Sequence, residues 1–314
     1  MFIVLIEVIK MNQYVVETSN LTKTFNGKAA VNQVNLSIPK GAIYGFLGPN
    51  GAGKTTAIKL LLGLMKETSG SIHIFGKELK KEKQTILRNI GSLVESPSYY
   101  GNLSARENLE LLQIILQTPK ERVDEVLNIV RLEKDANRPV KGFSLGMKQR
   151  LGIASALLGS PELLILDEPT NGLDPSGIIE MRELIKSLPE KYGVTVLVSS
   201  HLLSEIDQMA TEVGIISKGS LIFQDSIDVL RKKSVNKIRI QTNNREAAWK
   251  VLLKEGLKGN AEGDYLSFNQ STNRDVAAMV RALVQNGLDV YRVEEEKRSL
   301  ESIFLEMTKE AQSL

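Results

Sequence analysis

Alternating runs and continuous apolar runs divide the first two-thirds of the chain into two kinds of predicted strand. Residues 12–45 mix strand-like runs (YVVET, VNLSI and AIYGFL) with turn signals such as FNGK and PKG, which predicts an antiparallel β start. The later runs LLILD (163–167), TVLVSS (195–200) and VGIIS (213–217) are almost entirely apolar. Strands of that kind are buried on both faces, as in a parallel sheet covered by helices. We therefore predict an α/β domain with a parallel core sheet.

Helical spacing of apolar residues appears between these strands. The segment 54–64 shows it directly after AIYGFL, and 105–117 and 120–131 show it again. The last two segments predict a helical insertion, which we place at about 95–160 within a main domain of residues 12–229.

The pattern changes near Leu230, where RKKSVNK is typical of a polar linker. Beyond it, strand-like and helix-like runs alternate as β-α-β-α-β-α to the end of the chain, which predicts a small accessory α+β domain over 235–314. This domain carries no grouping of His, Asp and Glu suited to catalysis. Regulation, dimerisation and bracing of the main domain all remain open as its role.

Residues 1–11 are predicted to be an N-terminal extension. MFIVLIEVIK is apolar over only ten residues, whereas a membrane-spanning helix needs roughly 17 to 25. It also lacks the early positive charge and the cleavage site of a signal peptide. We therefore expect these residues to be either an extra lead-in strand or a stretch that the native protein lacks because its translation begins at Met11. We expect neither a signal peptide nor a transmembrane segment, so any membrane role depends on a partner.

Composition narrows the class of protein. A chain of 314 residues is too long to fold around one ordinary hydrophobic core, so two domains are expected. Its 42% hydrophobic and 25% charged residues are typical of soluble globular proteins. The 40 basic and 37 acidic residues are spread along the chain without a basic block, which argues against a nucleic-acid partner. The absence of cysteine excludes disulfides and zinc–thiolate sites and suits a reducing compartment.

A glycine-rich loop stands between the strand AIYGFL and the helix of 54–64, and it matches the phosphate-loop pattern G-x-x-x-x-G-K-[ST] in its required context. Its glycines let backbone N–H groups surround phosphates, and the helix adds its positive dipole end. Lys54 is predicted to reach the β and γ phosphates of ATP, and Thr55 to hold Mg²⁺. The predicted ATP-binding residues of the loop are Gly48, Pro49, Asn50, Gly51, Ala52, Gly53, Lys54, Thr55 and Thr56.

Two acidic residues end the apolar strand LLILD. A strand of this kind delivers carboxylates at its carboxyl tip, where α/β sheets bind ligands. Asp167 is predicted to hold Mg²⁺ through water, and Glu168 to act as the general base on the attacking water. An ordinary acidic turn is the alternative, which the glycine-rich loop makes less attractive.

With these motifs in order, the chain resembles the nucleotide-binding subunit of an ABC transporter over roughly residues 14–228. The resemblance implies that Phe25 stacks on adenine, although a core aromatic is the alternative there. It also implies that His201, directly after TVLVSS, is the switch histidine that contacts the γ-phosphate in catalysis.

The segment Phe143–Arg150 resembles the family signature Leu-Ser-Gly-Gly-Gln, with two departures at Leu145 and Met147. Ser144 and the Gly146 N–H open a helix, so they can bind a γ-phosphate presented by another subunit; an ordinary helix N-cap is the alternative. Leu173 and Asp174, in the run Asn171-Gly-Leu-Asp, resemble the interface D-loop. The signature residues are thus predicted to be Ser144, Leu145, Gly146 and Met147, acting in trans.

Glu95 is a departure from the family pattern. It follows the strand IGSLV where the family usually has a Gln that touches Mg²⁺, so we expect Glu95 to be a metal residue that holds the ion more tightly. Glu-Ser-Pro at this point, the run Asn-Leu-Ser-Ala-Arg-Glu-Asn (102–108) and the signature resemble a narrower branch, the bacitracin-resistance and lantibiotic-immunity exporters.

The sequence therefore predicts a Mg²⁺-dependent ATPase that powers efflux of a peptide antibiotic or similar amphiphile. The resemblance implies a head-to-tail homodimer, a separate integral-membrane permease and a location at the cytoplasmic face of the cell membrane. Alternatives are a soluble ATPase of the same fold acting on ribosomes or DNA, and an ATP-dependent sensor without transport. Two cassettes in one chain, a long coiled coil or basic arms would favour the ribosome or DNA alternative, and this sequence has none of them.

Overall fold

The computed structural model describes residues 13–95, 98–232, 237–257, 259–269, 272–296 and 300–313. The predicted N-terminal extension, 1–11, lies outside the described residues, as do four residues of the predicted linker, 233–236. The chain forms two units, one up to Ile227 together with the end of the last helix from Met307, and one from Asp228 to Glu306. Within the described ranges, no helix is long and apolar enough to span a bilayer.

The first unit contains eleven described strands, which form two sheets. They are β1 Tyr14–Phe25, β2 Lys28–Val34, β3 Ser37–Pro39, β4 Ile43–Leu47, β5 Ser69–Ile74, β6 Lys77–Glu78, β7 Ile90–Leu93, β8 Leu163–Asp167, β9 Thr195–Ser200, β10 Glu212–Ser217 and β11 Ser220–Ser226.

Seven α-helices connect these strands and an eighth follows β11 within the described part of the chain. They are α1 Lys54–Leu61, α2 Leu79–Leu87, α3 Ala105–Leu116, α4 Glu121–Ile129, α5 Leu145–Leu157, α6 Pro175–Tyr192, α7 Leu203–Asp207 and α8 Ile227–Lys232. The predicted helices at 54–64, 105–117 and 120–131 are confirmed as α1, α3 and α4. Ser104 fixes the start of α3 with a capping box, since its hydroxyl accepts from Glu107 N while the Glu107 side chain accepts from Ser104 N.

The larger sheet has the order β11-β10-β4-β9-β8-β7, and all of its neighbouring pairs except β10–β11 are parallel. Strands β8 and β9 are buried at every position, as their continuous apolar runs predicted, and β4 is buried at every position as well. Parallel strands end at one edge of a sheet, so the residues after Leu47, Leu93, Asp167 and Ser200 are brought to that edge.

The smaller sheet has the order β2-β1-β5-β6, with β3 also paired to β1, and its pairs are antiparallel. The predicted antiparallel start is confirmed for β1, β2 and β3, but the prediction was wrong for AIYGFL. That run supplies β4, which pairs in parallel with β9 and β10. Its burial at all five positions explains the difference, because a strand covered on both faces fits the centre of the parallel sheet.

The second unit is an antiparallel sheet of order β13-β14-β12-β15 with its own apolar core. The core includes Ile240, Phe268 and Leu283. One strand, β13, was not predicted, because its sequence GNAE lacks the β-branched and aromatic residues that mark strands. The elements that follow α8 in the chain are β12 Lys237–Thr242, α9 Arg245–Lys254, β13 Gly259–Glu262, β14 Tyr265–Asn269, α10 Asn273–Gln285, β15 Val290–Glu296 and α11 Leu300–Ser313.

Candidate active site

The glycine-rich loop turns from β4 into α1 with two positions that exclude any side chain. Gly53 has a φ of +108°, and a Cβ there would lie 2.4 Å from the carbonyl oxygen of Ala30. A Cβ on Gly48 would lie 2.5 Å from the carbonyl oxygen of Ile216. Both glycines are therefore required sterically, and they let the backbone pass close to the neighbouring strands.

Lys54, the first residue of α1, has its ammonium group at the mouth of this loop. Its Nζ donates to the carbonyl oxygens of Gly48 at 2.6 Å and Pro49 at 3.4 Å. It also lies 3.2 Å from Oε1 of Glu168, and the lysine side chain is only 6% exposed. The loop thus holds a buried cation at the N-terminal end of a helix, which is the electrostatic arrangement that binds phosphates.

The acidic pair at the end of β8 is fixed by Ser199 of β9. The Ser199 hydroxyl donates to Oδ1 of Asp167 at 2.6 Å and accepts from the backbone N–H of Glu168 at 2.9 Å. Glu168 itself adopts a φ of +52°, which turns its side chain away from the line of the strand. One hydroxyl therefore sets the positions of both predicted acidic residues, and sequence reasoning did not single it out.

His201 completes the cluster from the end of β9. Its Nδ1 lies 2.7 Å from Oε2 of Glu168, so the carboxylate contacts Lys54 through one oxygen and His201 through the other. These three side chains come from residues 54, 168 and 201, and the parallel sheet brings them together.

An open cleft of about 390 Å³ lies over this cluster. Its lining unites the predicted phosphate loop with the predicted base and the predicted switch histidine. The residues are Ala30, Pro49, Asn50, Gly51, Ala52, Gly53, Lys54, Thr55, Thr56, Glu168, Asn171 and His201.

Phe25 lies at the hairpin between β1 and β2, where it is paired with Lys28. Its ring is 44% exposed, and the ammonium of Lys23 lies 5.1 Å from the ring centroid. A core role is therefore ruled out for this aromatic. The strand β2 also carries Ala30, which lines the cleft, so this hairpin runs from the exposed ring to the phosphate loop.

The signature segment begins α5 and packs on the D-loop of the same chain. The Ser144 hydroxyl accepts a hydrogen bond from Met147 N at 3.3 Å and caps the helix. This is the ordinary N-cap that the sequence left open as the alternative. A Cβ on Gly172 would lie 3.1 Å from Cδ2 of Leu145, and a Cβ on Gly146 would lie 3.7 Å from Cδ2 of Leu173, so the two segments lie close together. Among the described residues that line the cleft, none belongs to Ser144–Met147.

Asp174 caps α6, since its Oδ1 accepts from Gly177 N at 3.0 Å, and Pro175 occupies the first helical turn. The D-loop residue nearest the chemistry is Asn171, which lines the cleft. This position was noticed in the sequence only as part of the D-loop run.

Glu95 takes a different position from the other predicted metal residues. Its Oε1 lies 2.6 Å from Nζ of Lys59 on α1, and its side chain is 67% exposed. The hydrogen bond from Lys59 lowers the pKa of the Glu95 carboxyl below its usual value. Thr55 lines the cleft and Asp167 ends β8 beside it, whereas Glu95 is paired with Lys59.

A second set of polar contacts that the sequence did not reveal lies behind the cleft. Oε2 of Glu205, on the short helix α7, accepts hydrogen bonds from the hydroxyls of Thr170 at 2.7 Å and Ser200 at 2.9 Å. The signal available in the sequence was the pair of serines ending an otherwise apolar strand, because buried hydroxyls require partners.

Comparison with known proteins adds independent findings. The family model described as "ABC transporter" matches residues 31–171. The chain is 45% identical to the bacitracin transport ATP-binding protein BcrA of Bacillus licheniformis, over 93% of this chain and 97% of that protein. It is 48% identical to the lantibiotic transport ATP-binding protein SrtF of Streptococcus pyogenes, over 67% of this chain and 90% of that protein.

Among solved structures, the fold is similar to the dimeric ATP-binding cassette MJ0796 in a post-hydrolysis state with ADP and Pi. The TM-score is 0.61 at 28% identity, covering 68% of this chain and 98% of that one. The similarity therefore extends over the whole length of a nucleotide-hydrolysing cassette.

Proposed function

The chain belongs to the family of ABC transporter ATP-binding proteins and is an ATPase coupled to transport, and on that premise we propose that it powers export of a peptide antibiotic. Two relatives that act in bacitracin and lantibiotic transport support this substrate class. The observation that carries the chemistry is the contact of one carboxylate, Glu168, with both Lys54 and His201 in a cleft lined by the phosphate loop.

In ATP hydrolysis at this site, Lys54, Glu168 and His201 would each have a different role. Lys54 and the N–H groups at the start of α1 bind the phosphates, since a cation and a helix N-terminus together favour negative charge. Glu168 accepts a proton from the attacking water, and His201 holds the γ-phosphate in line. The 2.7 Å contact between Nδ1 of His201 and Oε2 of Glu168, which brings the proposed base and the proposed switch histidine together, supports this division.

The oxygen donors beside the cleft fit Mg²⁺. This ion prefers hard oxygen ligands and is commonly held by one or two carboxylates together with the phosphates of a nucleotide. We assign the Thr55 hydroxyl and the Asp167 carboxylate to it, and Ser199 keeps that carboxylate in place through Oδ1. When bound, the ion would neutralise charge on the β and γ phosphates.

Two copies of the chain, arranged head to tail, would complete each site. The signature residues lie outside the cleft lining of their own chain, so their helix N-terminus at Ser144 is available to a nucleotide held by another copy. Two-fold symmetry then yields two identical sites. The dimeric solved cassette supports an assembly of two copies.

A separate membrane permease is the proposed partner, with the chain at the cytoplasmic face. The helical insertion supports this, because α3 presents four large apolar side chains to solvent, and exposed apolar patches mark interaction sites. These residues are Leu111, Ile114, Ile115 and Leu116, between 41% and 73% exposed.

The test of this function is a resistance assay. A susceptible bacterium carrying this chain with its neighbouring permease gene should tolerate more bacitracin or lantibiotic than one carrying the permease with a Lys54→Ala chain. A multi-helix membrane protein should also co-purify with the chain from a detergent extract. If the two strains were equally susceptible to bacitracin and to lantibiotic although the wild-type chain hydrolyses ATP, the proposed substrate class would be overturned.

A further inference from the structure

Glu205 is a buried carboxylate that the hydrolytic scheme leaves without a role. Glu205 is only 8% exposed. It lies on α7 and is followed there by Ile206, which is also buried. Apolar side chains would fill such a core position at lower cost, because a buried carboxylate needs hydrogen-bond donors to offset its lost hydration. The two hydroxyls that contact its Oε2 supply those donors.

Those hydroxyls belong to two different chain segments, and each segment carries part of the active site. Ser200 immediately precedes His201 and is fixed further by accepting from Leu202 N at 3.0 Å. Thr170 lies between Glu168 and Asn171 in a turn closed by the Asn171 N–H donating to the Glu168 carbonyl at 3.1 Å. One oxygen of Glu205 therefore joins the turn after β8 to the last residue of β9, which directly precedes His201.

This tie is separate from the one made by Ser199. Ser199 joins the same two strands directly through Asp167 and the Glu168 backbone, and it keeps the carboxylate end of β8 in place. Glu205 acts one step further along both segments, at the point where they carry His201 and Asn171 over the cleft. Loss of Glu205 leaves Ser199 and the phosphate loop intact.

We propose that Glu205 is a positioning residue for hydrolysis, which holds His201 and the Glu168–Asn171 turn in their catalytic relation through Ser200 and Thr170. The proposal rests on the proposed function of the cleft as a site of ATP hydrolysis. It predicts an effect on turnover and little effect on ATP binding by the phosphate loop. The contact of the loop with Ser200, from the Gly48 N–H to the Ser200 carbonyl oxygen at 3.3 Å, joins backbone atoms and remains when these side chains are changed.

The experiment compares purified wild type with Glu205→Ala, Glu205→Gln, Thr170→Val and Ser200→Ala, using Glu190→Ala on the exposed side of α6 as the matched control. The kcat of Glu205→Ala should fall on the order of ten- to a hundredfold, the loss typical of a misplaced catalytic geometry. Its affinity for a fluorescent ATP analogue and its KM should stay at the wild-type value. Glu205→Gln should recover part of the loss, because its amide oxygen still accepts from a hydroxyl.

Combining substitutions separates a shared tie from independent packing effects. Thr170→Val and Ser200→Ala should each lower kcat in the wild type, yet add little further loss in the Glu205→Ala background, because residues of one network are not additive. Full additivity would overturn the proposal. If Glu205→Ala does not fold, the two hydroxyl variants carry the test, and normal kcat in both would overturn it.

Failure of the proposed function would look different. A wild-type protein that binds but does not hydrolyse ATP would contradict the active-site assignment itself. A wild type with normal turnover and a Glu205→Ala variant with the same kcat would contradict only the role of Glu205.

Discussion

Glu95 and Glu168 occupy equivalent places in the central sheet and differ in their surroundings. Leu93 of β7 pairs with Leu166 of β8, so each glutamate lies two residues beyond the same rung. Both have a positive φ, 62° for Glu95 and 52° for Glu168. Each also forms an ion pair with a lysine of α1, at 2.6 Å to Lys59 and at 3.2 Å to Lys54 respectively.

The difference between the two pairs is burial. The side chains of Lys54 and Glu168 are 6% and 21% exposed, whereas those of Lys59 and Glu95 are 27% and 67% exposed. Charges interact strongly where water is excluded and weakly where it screens them. The same local pattern of strand, glutamate and lysine can therefore form a reactive centre in one place and a modest surface contact in the other.

The largest expected effect comes from Glu168→Gln. The amide keeps the size of the side chain but cannot act as a general base, so turnover should fall by about 10² to 10⁴. ATP should still bind and hold two copies together. Phosphate release would measure the turnover, and light scattering with saturating ATP would measure the association of the two copies. Unchanged turnover would remove Glu168 from its role, and a monomer under those conditions would contradict the two-copy site.

An intermediate effect is expected from Glu95→Gln, the same chemical change at the other glutamate. ATPase activity should persist, and the Mg²⁺ concentration for half-maximal rate should rise by about two- to fivefold, since an exposed charge acts weakly on a nearby ion. Mg²⁺ binding followed with a fluorescent nucleotide provides a second readout. An identical Mg²⁺ titration would show that Glu95 lies outside the reach of the metal.

The smallest effect is expected from Lys59→Met. The hydrogen bond from Lys59 is the main cause of the lowered Glu95 pKa, so this pKa should rise toward its usual value of 4.5, as a carboxyl NMR titration would show. A lowered pKa in the folded state stabilises the protein above the unfolded value, and that stabilisation disappears as pH falls through the folded value. The melting temperatures of variant and wild type should therefore converge in acid.

Lys81→Met is the control for that last change. It removes another ion pair, in which the hydrogen bond from Lys81 lowers the pKa of Glu78. Glu78 ends β6 and directly precedes α2. It should alter acid stability in the same direction and leave the Mg²⁺ titration unchanged. A shift of the titration with Lys81→Met would mean that the effect at Lys59 reflects overall charge rather than its contact with Glu95.

Much of the active site could be predicted from local sequence. The phosphate loop, the Asp167–Glu168 pair and His201 each follow an apolar strand, and parallel strands bring such positions to one edge. Glu205 and Ser199 could not be assigned, because Thr170 lies 35 residues from Glu205 and Asp167 lies 32 residues from Ser199, and the sequence does not show which acceptor a hydroxyl in a strand binds. The parallel pairing of β4 was missed for a related reason, since local pattern does not state which strand is its neighbour.

The sequence by itself determined the phosphate-loop pattern, the apolar strands and the chemical groups at their ends, because these are properties of adjacent residues. Only the tertiary structure decided which of two similar glutamates is buried against Lys54 and His201 and which remains exposed with Lys59. It also decided that Glu205 joins Thr170 to Ser200. Strand order and burial set these outcomes, and both arise from contacts between residues far apart in the chain.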